Sequence, residues 1–330
     1  MASDSFIPPE QGLVYAFLLD GKGGGRRLDW DGILAWRPED GPLWLHLDRS
    51  HERAQLWLKE QSGIDPVNAQ ALLREETRPR VETAGQESLL LMMRALNFNV
   101  GADPNDLLSL RVWVEPRRLV TLRRRQVQAA RDCRQLLESG HGVHNVPELT
   151  RVLTERINNQ FEAAIDELDD RLAEIERCQE ENRHFETGTL SSVRREAVEL
   201  RRYLAPQRDM LVHLRGLNLP WLFGRHKDTW RELANITTHY VEELDNVRER
   251  SSIVHDQLSS QINLAMNRTI YAMTLMTGLF LPLSFVTGLL GINVAGIPLA
   301  ENHDAFYLVC GLLAVIAVIQ LLVFRRLRWI

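Results

Sequence analysis

Residues 269–293 read TIYAMTLMTGLFLPLSFVTGLLGIN, and no Asp, Glu, Lys or Arg interrupts the run until Glu301. A hydrocarbon layer roughly 30 Å thick is crossed by about 20 mostly apolar residues in a helix, so this stretch is long enough to span. Pro282 sits inside it. In a water-exposed helix such a proline costs about 3 kcal/mol and breaks the rod. Membrane helices tolerate it, because neighbouring helices, hydroxyls or water satisfy the carbonyl it frees. A bilayer therefore dictates the last part of this chain.

Residues 305–324, AFYLVCGLLAVIAVIQLLVF, form a second charge-free run of about minimal spanning length. The loop between the runs, residues 294–304, has two acids and no Lys or Arg. Arg268 precedes the first span, and Arg325, Arg326 and Arg328 follow the second. Concentrated Lys and Arg stay in the cytoplasm, so both ends of the hairpin are expected inside and the loop outside. The first residues, MASDSFIPPEQ, offer no basic and apolar leader, so the soluble portion is expected to share the cytoplasmic side.

That soluble portion is large enough for about two domains in a chain of 330 residues. A net charge of −5 gives no reason to expect nucleic acid. Cys133, Cys178 and Cys310 lie far apart, without the spacing of a disulfide frame or a zinc knuckle. Short apolar runs at residues 13–19, 43–47, 88–99, 108–114 and 119–123 predict strands. Residues 21–25 predict a turn, and residues 52–61 and 66–74 short helices. The pattern is that of an α/β domain over residues 1–145, its mixed sheet covered by helices on both faces.

From Val146 onward the period changes to that of long helices. Ile157, Phe161, Ile165, Leu168, Leu172 and Ile175 recur three or four apart, the pattern fades near Asn182, and a second helix is expected over residues 190–217. A third, capped by Asp228, shows no break before the membrane. Along it Leu233, Tyr240, Val247 and Val254 repeat every seven residues, offset from Leu244, Ser251, Leu258 and Ala265. A seam of that length is expected to need copies of the same helix to cover it. In the first span Thr277, Ser284, Gly288 and Gly291 fall at gaps of 7, 4 and 3, on one helix face. Small residues so placed serve either close helix packing or the wall of a pore built by symmetric copies.

Pro282-Leu283-Ser284-Phe285, Gly288, Gly291-Ile292-Asn293, an acidic loop and a second span together resemble the CorA family of divalent-cation transporters. That family carries Gly-Met-Asn at the outer end of its first span. Gly-Ile-Asn is similar to its zinc (ZntB-like) branch, as are residues 44–48 (WLHLD), 75–80 (EETRPR) and 109–113 (SLRVW). The resemblance covers nearly the whole chain. It implies a symmetric homopentamer around a central pore in the inner membrane, with a cytoplasmic α/β funnel (1–145), a long-helix pair (146–226) and a stalk helix (227–268). A pore-lining first span (269–293), an external loop (294–304), a second span (305–324) and a basic cytoplasmic tail (325–330) follow. It places Ile270, Met273, Thr277, Leu281 and Ser284 on the pore wall, with Gly291, Ile292 and Asn293 as the selectivity segment. The implied cargo is zinc, taken up with coupling to protons. Efflux, a potential-driven channel for magnesium or cobalt, and a non-conducting sensor are the alternatives.

Five Asn293 carbonyl oxygens could hold the water shell of a dication, whereas bare zinc prefers imidazole or thiolate. Asn293 could equally cap the helix end. Ile270, Met273 and Leu281 would form apolar constrictions. Thr277 and Ser284 would offer hydroxyls, unless these bond the preceding turn. Glu301, His303 and Asp304 would ring the mouth, with His303 able to ligate zinc or sense pH; a solvated loop is the simpler alternative. The acidic run from Asp166 to Glu181 reads as a solvated face that could also gather ions, and His141 and His144 have HxxH spacing in a loop. No phosphate-binding G-x-x-x-x-G-K-[ST], G-x-S-x-G or H-E-x-x-H occurs, so neither a nucleotide-driven pump nor a hydrolase of those types is expected, and no prosthetic group.

Overall fold

The computed structural model describes residues 11–75, 78–102, 106–181, 183–292 and 304–327, with the side chains at 225 and 305 left aside. It divides into two compact units, Met1–Ile253 and Val254–Ile330.

In the first unit seven strands form one mixed sheet of order β2-β1-β3-β7-β6-β5-β4. They are β1 (Leu13–Leu19), β2 (Gly25–Arg27), β3 (Leu43–Asp48), β4 (Arg80–Ala84), β5 (Ser88–Ala95), β6 (Leu108–Glu115) and β7 (Arg118–Arg123). Only β3 and β7 run parallel, with Leu43 opposite Arg118. The expected strand over residues 88–99 stops at Ala95, because the Asn99 amide and side chain both turn back to Asn97 Oδ1. β4 escaped the sequence pattern: as an edge strand it alternates Arg80 and Glu82 with small residues, and it needs no buried face.

Alternation within the strands sends two sets of side chains to opposite faces. Leu43, Leu45, Leu47, Leu90, Met92, Trp113, Val120 and Leu122 pack with Trp30 of α1 (Trp30–Ala35), Ala54 of α2 (Glu52–Leu56), Leu58 in the π turn that continues it, and Leu72 of α3 (Pro66–Leu73). Against the other face lie α4 (Gln128–Glu138), α5 (Val146–Glu180) and α6 (Thr187–Gly216). There the Tyr15 hydroxyl donates to Ala130 O in α4, and Thr154 of α5 contacts Met93 Sδ. Helices on both faces of a mixed sheet match the sequence expectation. α4 was missed because its inner face is carried by Ala129, Ala130 and Cys133 with Leu137 as the one large residue, too little to mark a stripe. Burial pushes the Cys133 thiol up to about 12, leaving it inert.

A buried histidine on this face is held through one ring nitrogen and by stacking. His46 stacks on Tyr15 at 4.7 Å between ring centres, and its Nδ1 lies 2.7 Å from Thr121 Oγ1. That hydroxyl donates to Leu45 O, so it accepts from Nδ1–H of His46 and from Trp44 Nε1. On the opposite face Arg111 Nη2 donates to the carbonyls of Arg74 and Glu75, and Arg49 Nη1 to that of Leu73. Two buried guanidinium groups thus satisfy carbonyls that α3 leaves open at its C-terminal end. Burial, with Arg49 and Arg94 nearby, brings Arg111 down to about 10.

A short α7 (Pro220–Phe223) leads to α8 (Lys227–Leu290), a continuous helix of 64 residues. It closes at Leu290 rather than running to residue 293, because Gly291 N–H is shared between the carbonyls of Thr287 and Gly288 and tightens the last turn. Its seam also differs from expectation. Leu233, Tyr240, Leu244, Val247, Ser251 and Val254 are all buried within the single chain. Helices α5 and α6, of 35 and 30 residues, are long enough to flank this stretch of α8, so no copies are needed there. Beyond Val254 the cover ends: Leu258 is half-buried and Ala265 exposed. In the second unit α8 is joined by α9 (Ala305–Arg326), whose Arg325 and Arg326 complement its C-terminal dipole.

Burial holds His46 well below its ordinary value near 6.5, so it stays neutral in the folded chain. Its stabilising effect is complete above pH 6.5 and is lost as pH falls toward the depressed folded value, because only the unfolded chain then takes up the proton. Unfolding of the full-length protein, followed by tryptophan fluorescence between pH 7.5 and 5.5, is expected to show wild type losing stability relative to His46→Gln. The difference approaches about 1.4 kcal/mol per pH unit. Parallel pH curves would contradict a buried neutral histidine.

Candidate functional site: one face of the long helix

Within the second unit α8 has two unlike faces. Leu275, Gly278, Leu279, Pro282, Leu283, Val286 and Leu290 are the half-buried positions. Gly278 marks the close approach to α9: a Cβ there would stand 3.1 Å from Cζ of Phe324. At about 100° per residue these positions centre on one side of the helix, and Ile270, Met273, Thr277, Leu281 and Ser284 centre roughly 180° away. All five are exposed, Met273 at 64% and Leu281 at 65%. Packing against α9 is therefore not what this face is for. Gly288 lies on the same side and is exposed as well.

Hydroxyl chemistry separates the faces further. Thr269, Thr274 and Thr287 each donate to the carbonyl four residues earlier, the ordinary fate of a threonine in an apolar helix. Among the described residues the Thr277 and Ser284 hydroxyls have no such partner. Their lone pairs and protons stay available to other partners. Above and below them Ile270, Met273 and Leu281 present only apolar surface. A column of apolar, hydroxyl, apolar and hydroxyl levels results, and it leads to Gly291 and Ile292 just past the helix end. Asn293, Glu301 and His303 lie outside the described residues; Asp304 stands at the N-cap position of α9.

Sites considered in the soluble unit come out differently. His144 Nδ1 is committed to Gly21 O at 3.0 Å, and Gly142 N–H donates to Gly23 O, so the HxxH loop is fastened to the β1–β2 turn. Among the described residues no three His, Cys, Asp or Glu side chains are placed to share a metal. Half of the acidic run is ion-paired: Arg250 of α8 holds Asp169 and Glu176, Arg177 and Arg183 hold Glu174, and Arg183 also holds Glu181. Asp166, Asp169, Asp170 and Glu243 line a cavity of about 440 Å³ together with Arg250, whose guanidinium offsets one of their four charges. Sequence reasoning missed two buried arrangements: the Arg49–Arg111 clasp on α3 and a polar chain among α5, α6 and α8. The only sequence signal for the first was Arg111 inside an otherwise apolar strand, LSLRVWVE.

Among the described residues, two helices are long and apolar enough to cross a membrane, Lys227–Leu290 and Phe306–Arg326. Comparison with known proteins bears on what they serve. A family model described as CorA-like Mg2+ transporter protein matches residues 39–326. The divalent cation transporter CmaX of Pseudomonas aeruginosa is 42% identical over 329 residues, covering 97% of this chain and 98% of its own. The zinc transport protein ZntB of Yersinia enterocolitica is 31% identical over 303 residues, covering 92% of this chain and 91% of its own. The solved structure of full-length CmaX superposes with a TM-score of 0.86 at 41% identity, over 98% of this chain and all of that one. The CorA magnesium transporter of Methanocaldococcus jannaschii gives 0.76 at 23% identity, over 96% and 99%, which speaks for the fold alone.

On the reading of this face as an ion path, Thr277→Val and Ser284→Ala each remove one hydrogen bond of about 1 kcal/mol, and each is expected to lower ion flux through the membrane about fivefold. Thr274→Val, which removes a hydroxyl already bonded to Ile270 O, should leave flux within a factor of two. Equal losses in all three, measured with reconstituted protein and an ion-sensitive dye, would remove the distinction between the faces.

Proposed function

The chain belongs to the CorA family of divalent-cation transporters, and from that premise we propose that it is a homopentameric importer of zinc. It sits in the inner membrane with both termini in the cytoplasm. The observation that carries the reading is the uncovered face of α8. Ile270, Met273, Thr277, Leu281 and Ser284 turn away from α9, and the two hydroxyls on that face are unspent. Five copies of it around an axis enclose a path, whereas two spans in one chain cannot. In this assembly residues 1–145 form the funnel, 146–226 the helix pair and 227–268 the stalk.

Transport follows from the levels of that path. Asn293 at the outer mouth presents a neutral carbonyl oxygen, and a ring of five accepts hydrogen bonds from a hydrated dication without stripping its shell. Glu301, His303 and Asp304 around the mouth raise the local concentration of cations. Thr277 and Ser284 exchange hydrogen bonds with the shell as the ion descends, and the apolar rings of Ile270, Met273 and Leu281 close the path by expelling water. One dication crossing a potential of about 100 mV gains about 4.6 kcal/mol, from roughly 2.3 per charge, so the potential alone can drive entry. Glu301, His303 and Asp304 are the titratable groups at the mouth through which a proton gradient would act.

A second reading, magnesium or cobalt as cargo, is favoured by the donor chemistry. Amide and hydroxyl oxygens are hard ligands that suit magnesium, and no His or Cys stands on the candidate pore face. The deciding experiment is zinc and magnesium flux into liposomes holding the purified protein, with and without an imposed proton gradient. Zinc entry exceeding magnesium entry is expected. Magnesium entry exceeding zinc would establish the second reading, and no flux of either would leave a sensor. Asn293→Ala is expected to abolish selectivity at least tenfold while the oligomer still forms on gel filtration; retained selectivity would remove Asn293 as the filter. Ile292→Met is expected to shift the zinc-to-magnesium ratio toward magnesium.

A further inference from the structure

Inside the first unit, four elements are joined by one chain of buried hydrogen bonds. The backbone N–H of Arg94 in β5 donates to Gln207 Oε1 of α6 at 2.8 Å. Gln207 Nε2 donates to Asn158 Oδ1 of α5 at 2.9 Å, and Asn158 Nδ2 to Thr237 Oγ1 of α8 at 2.8 Å. Thr237 passes its own proton to Leu233 O at 2.7 Å. Asn158, Gln207 and Thr237 are each at most 1% exposed.

The two ends of this chain are backbone groups whose roles are fixed, an N–H in β5 and a C=O in α8. That fixes every step between them. Gln207 must turn its oxygen to the strand, so its nitrogen faces Asn158. Asn158 must then turn its nitrogen to Thr237, and the hydroxyl must point back along its own helix. Reversing either amide sets two donors or two acceptors face to face. All five side-chain polar atoms are used, and none is spare.

Apolar contacts on α8 do not have this selectivity. A shift of one turn along the axis would bring Leu233 or Val241, both buried and apolar, to the place of Thr237. Such a seam accepts the slip with modest loss, whereas Asn158 Nδ2 would lose its acceptor in a dry interior, a disadvantage on the order of tenfold to a hundredfold in population. The ion pairs between α8 and its neighbours, Arg201–Asp245 and Arg250 with Asp169 and Glu176, are partly exposed and flexible enough to follow a small movement.

We propose that the Arg94–Gln207–Asn158–Thr237 chain is a register lock. It holds α8 at one axial position against α5, α6 and the sheet, and transport requires it to break as α8 shifts by one turn. α8 continues to Leu290 and bears the candidate pore face, and the link from the lock to transport rests on the function proposed above.

The test uses the full-length protein in liposomes, with Thr237→Val, Asn158→Leu and Gln207→Leu combined, so that the three side chains become apolar together and only the Arg94 N–H loses its acceptor. Spin labels at the exposed positions 180 of α5 and 239 of α8, which lie well apart along the helix axes, read the register in a background lacking the native cysteines. Expected are a second distance population displaced by about 5.4 Å, one helical turn, and a rise of at least threefold in the initial rate of divalent-cation entry. Thr237→Val alone is expected to give a smaller change of the same sign, and Thr237→Ser, which keeps the hydroxyl, the wild-type values. A single undisplaced distance in the apolar variant would overturn the lock whatever the pore proves to be. A displaced population with unchanged or lower flux would overturn its part in transport.

Discussion

Hydrocarbon offers a peptide group no hydrogen-bond partner except the rest of its own helix, and that constraint governs the second unit. It forces the chain past residue 269 into helix and leaves side chains as the only means of making a polar path. The division of labour on α8 follows. One side, with Gly278 at the approach to Phe324, is given to α9. Threonines off the candidate path turn their protons back to the helix, which suits lipid or protein surroundings. What remains is a face whose apolar and hydroxyl levels have no use inside one chain.

In the first unit the governing problem is the reverse, because water is plentiful outside and polar groups must be accounted for inside. Three solutions recur. His46 is kept neutral and shared with Trp44 around the single hydroxyl of Thr121. Arg49 and Arg111 are buried with their charge and spend it on the carbonyls at the end of α3. Asn158, Gln207 and Thr237 satisfy one another between two backbone groups. Each links elements distant in sequence, and each is costly to leave half made.

How much of this was legible in the sequence depended on whether a residue's neighbours were local. Strands β1, β3, β5, β6 and β7 announced themselves as apolar runs because they are buried on two faces; β4 did not, since an edge strand with Arg80 and Glu82 is buried on neither. The face of Thr277 and Ser284 could be read from spacing alone, because a helix fixes which residues share a side. That their hydroxyls are unbonded could not, as this depends on rotamers. The heptad seam on α8 was visible, but its partner was misjudged: period shows that a stripe is covered and not by what, and here α5 and α6 supply the cover down to Val254. The polar chain left no trace, because Asn158 and Gln207 are ordinary residues for charged helices and meet only in three dimensions.

The single parallel pairing in the sheet has a consequence for how the chain matures in time. Strands β4 to β7 are sequential antiparallel neighbours, joined by short turns except for the 12-residue link between β5 and β6, and can assemble as soon as they exist. Strand β3 has no such partner on that side. It must wait for β7, 75 residues further on by its Leu43–Arg118 register, and it brings β1 and β2 with it. Closing that interval costs more chain entropy than any hairpin in the sheet. Until it closes, the inward faces of β1 and β3, Trp44 and Leu45 among them, remain open to any passing sheet edge. The β3–β7 junction is thus the late event in forming the soluble unit, and the place where a slow fold would first be vulnerable to aggregation.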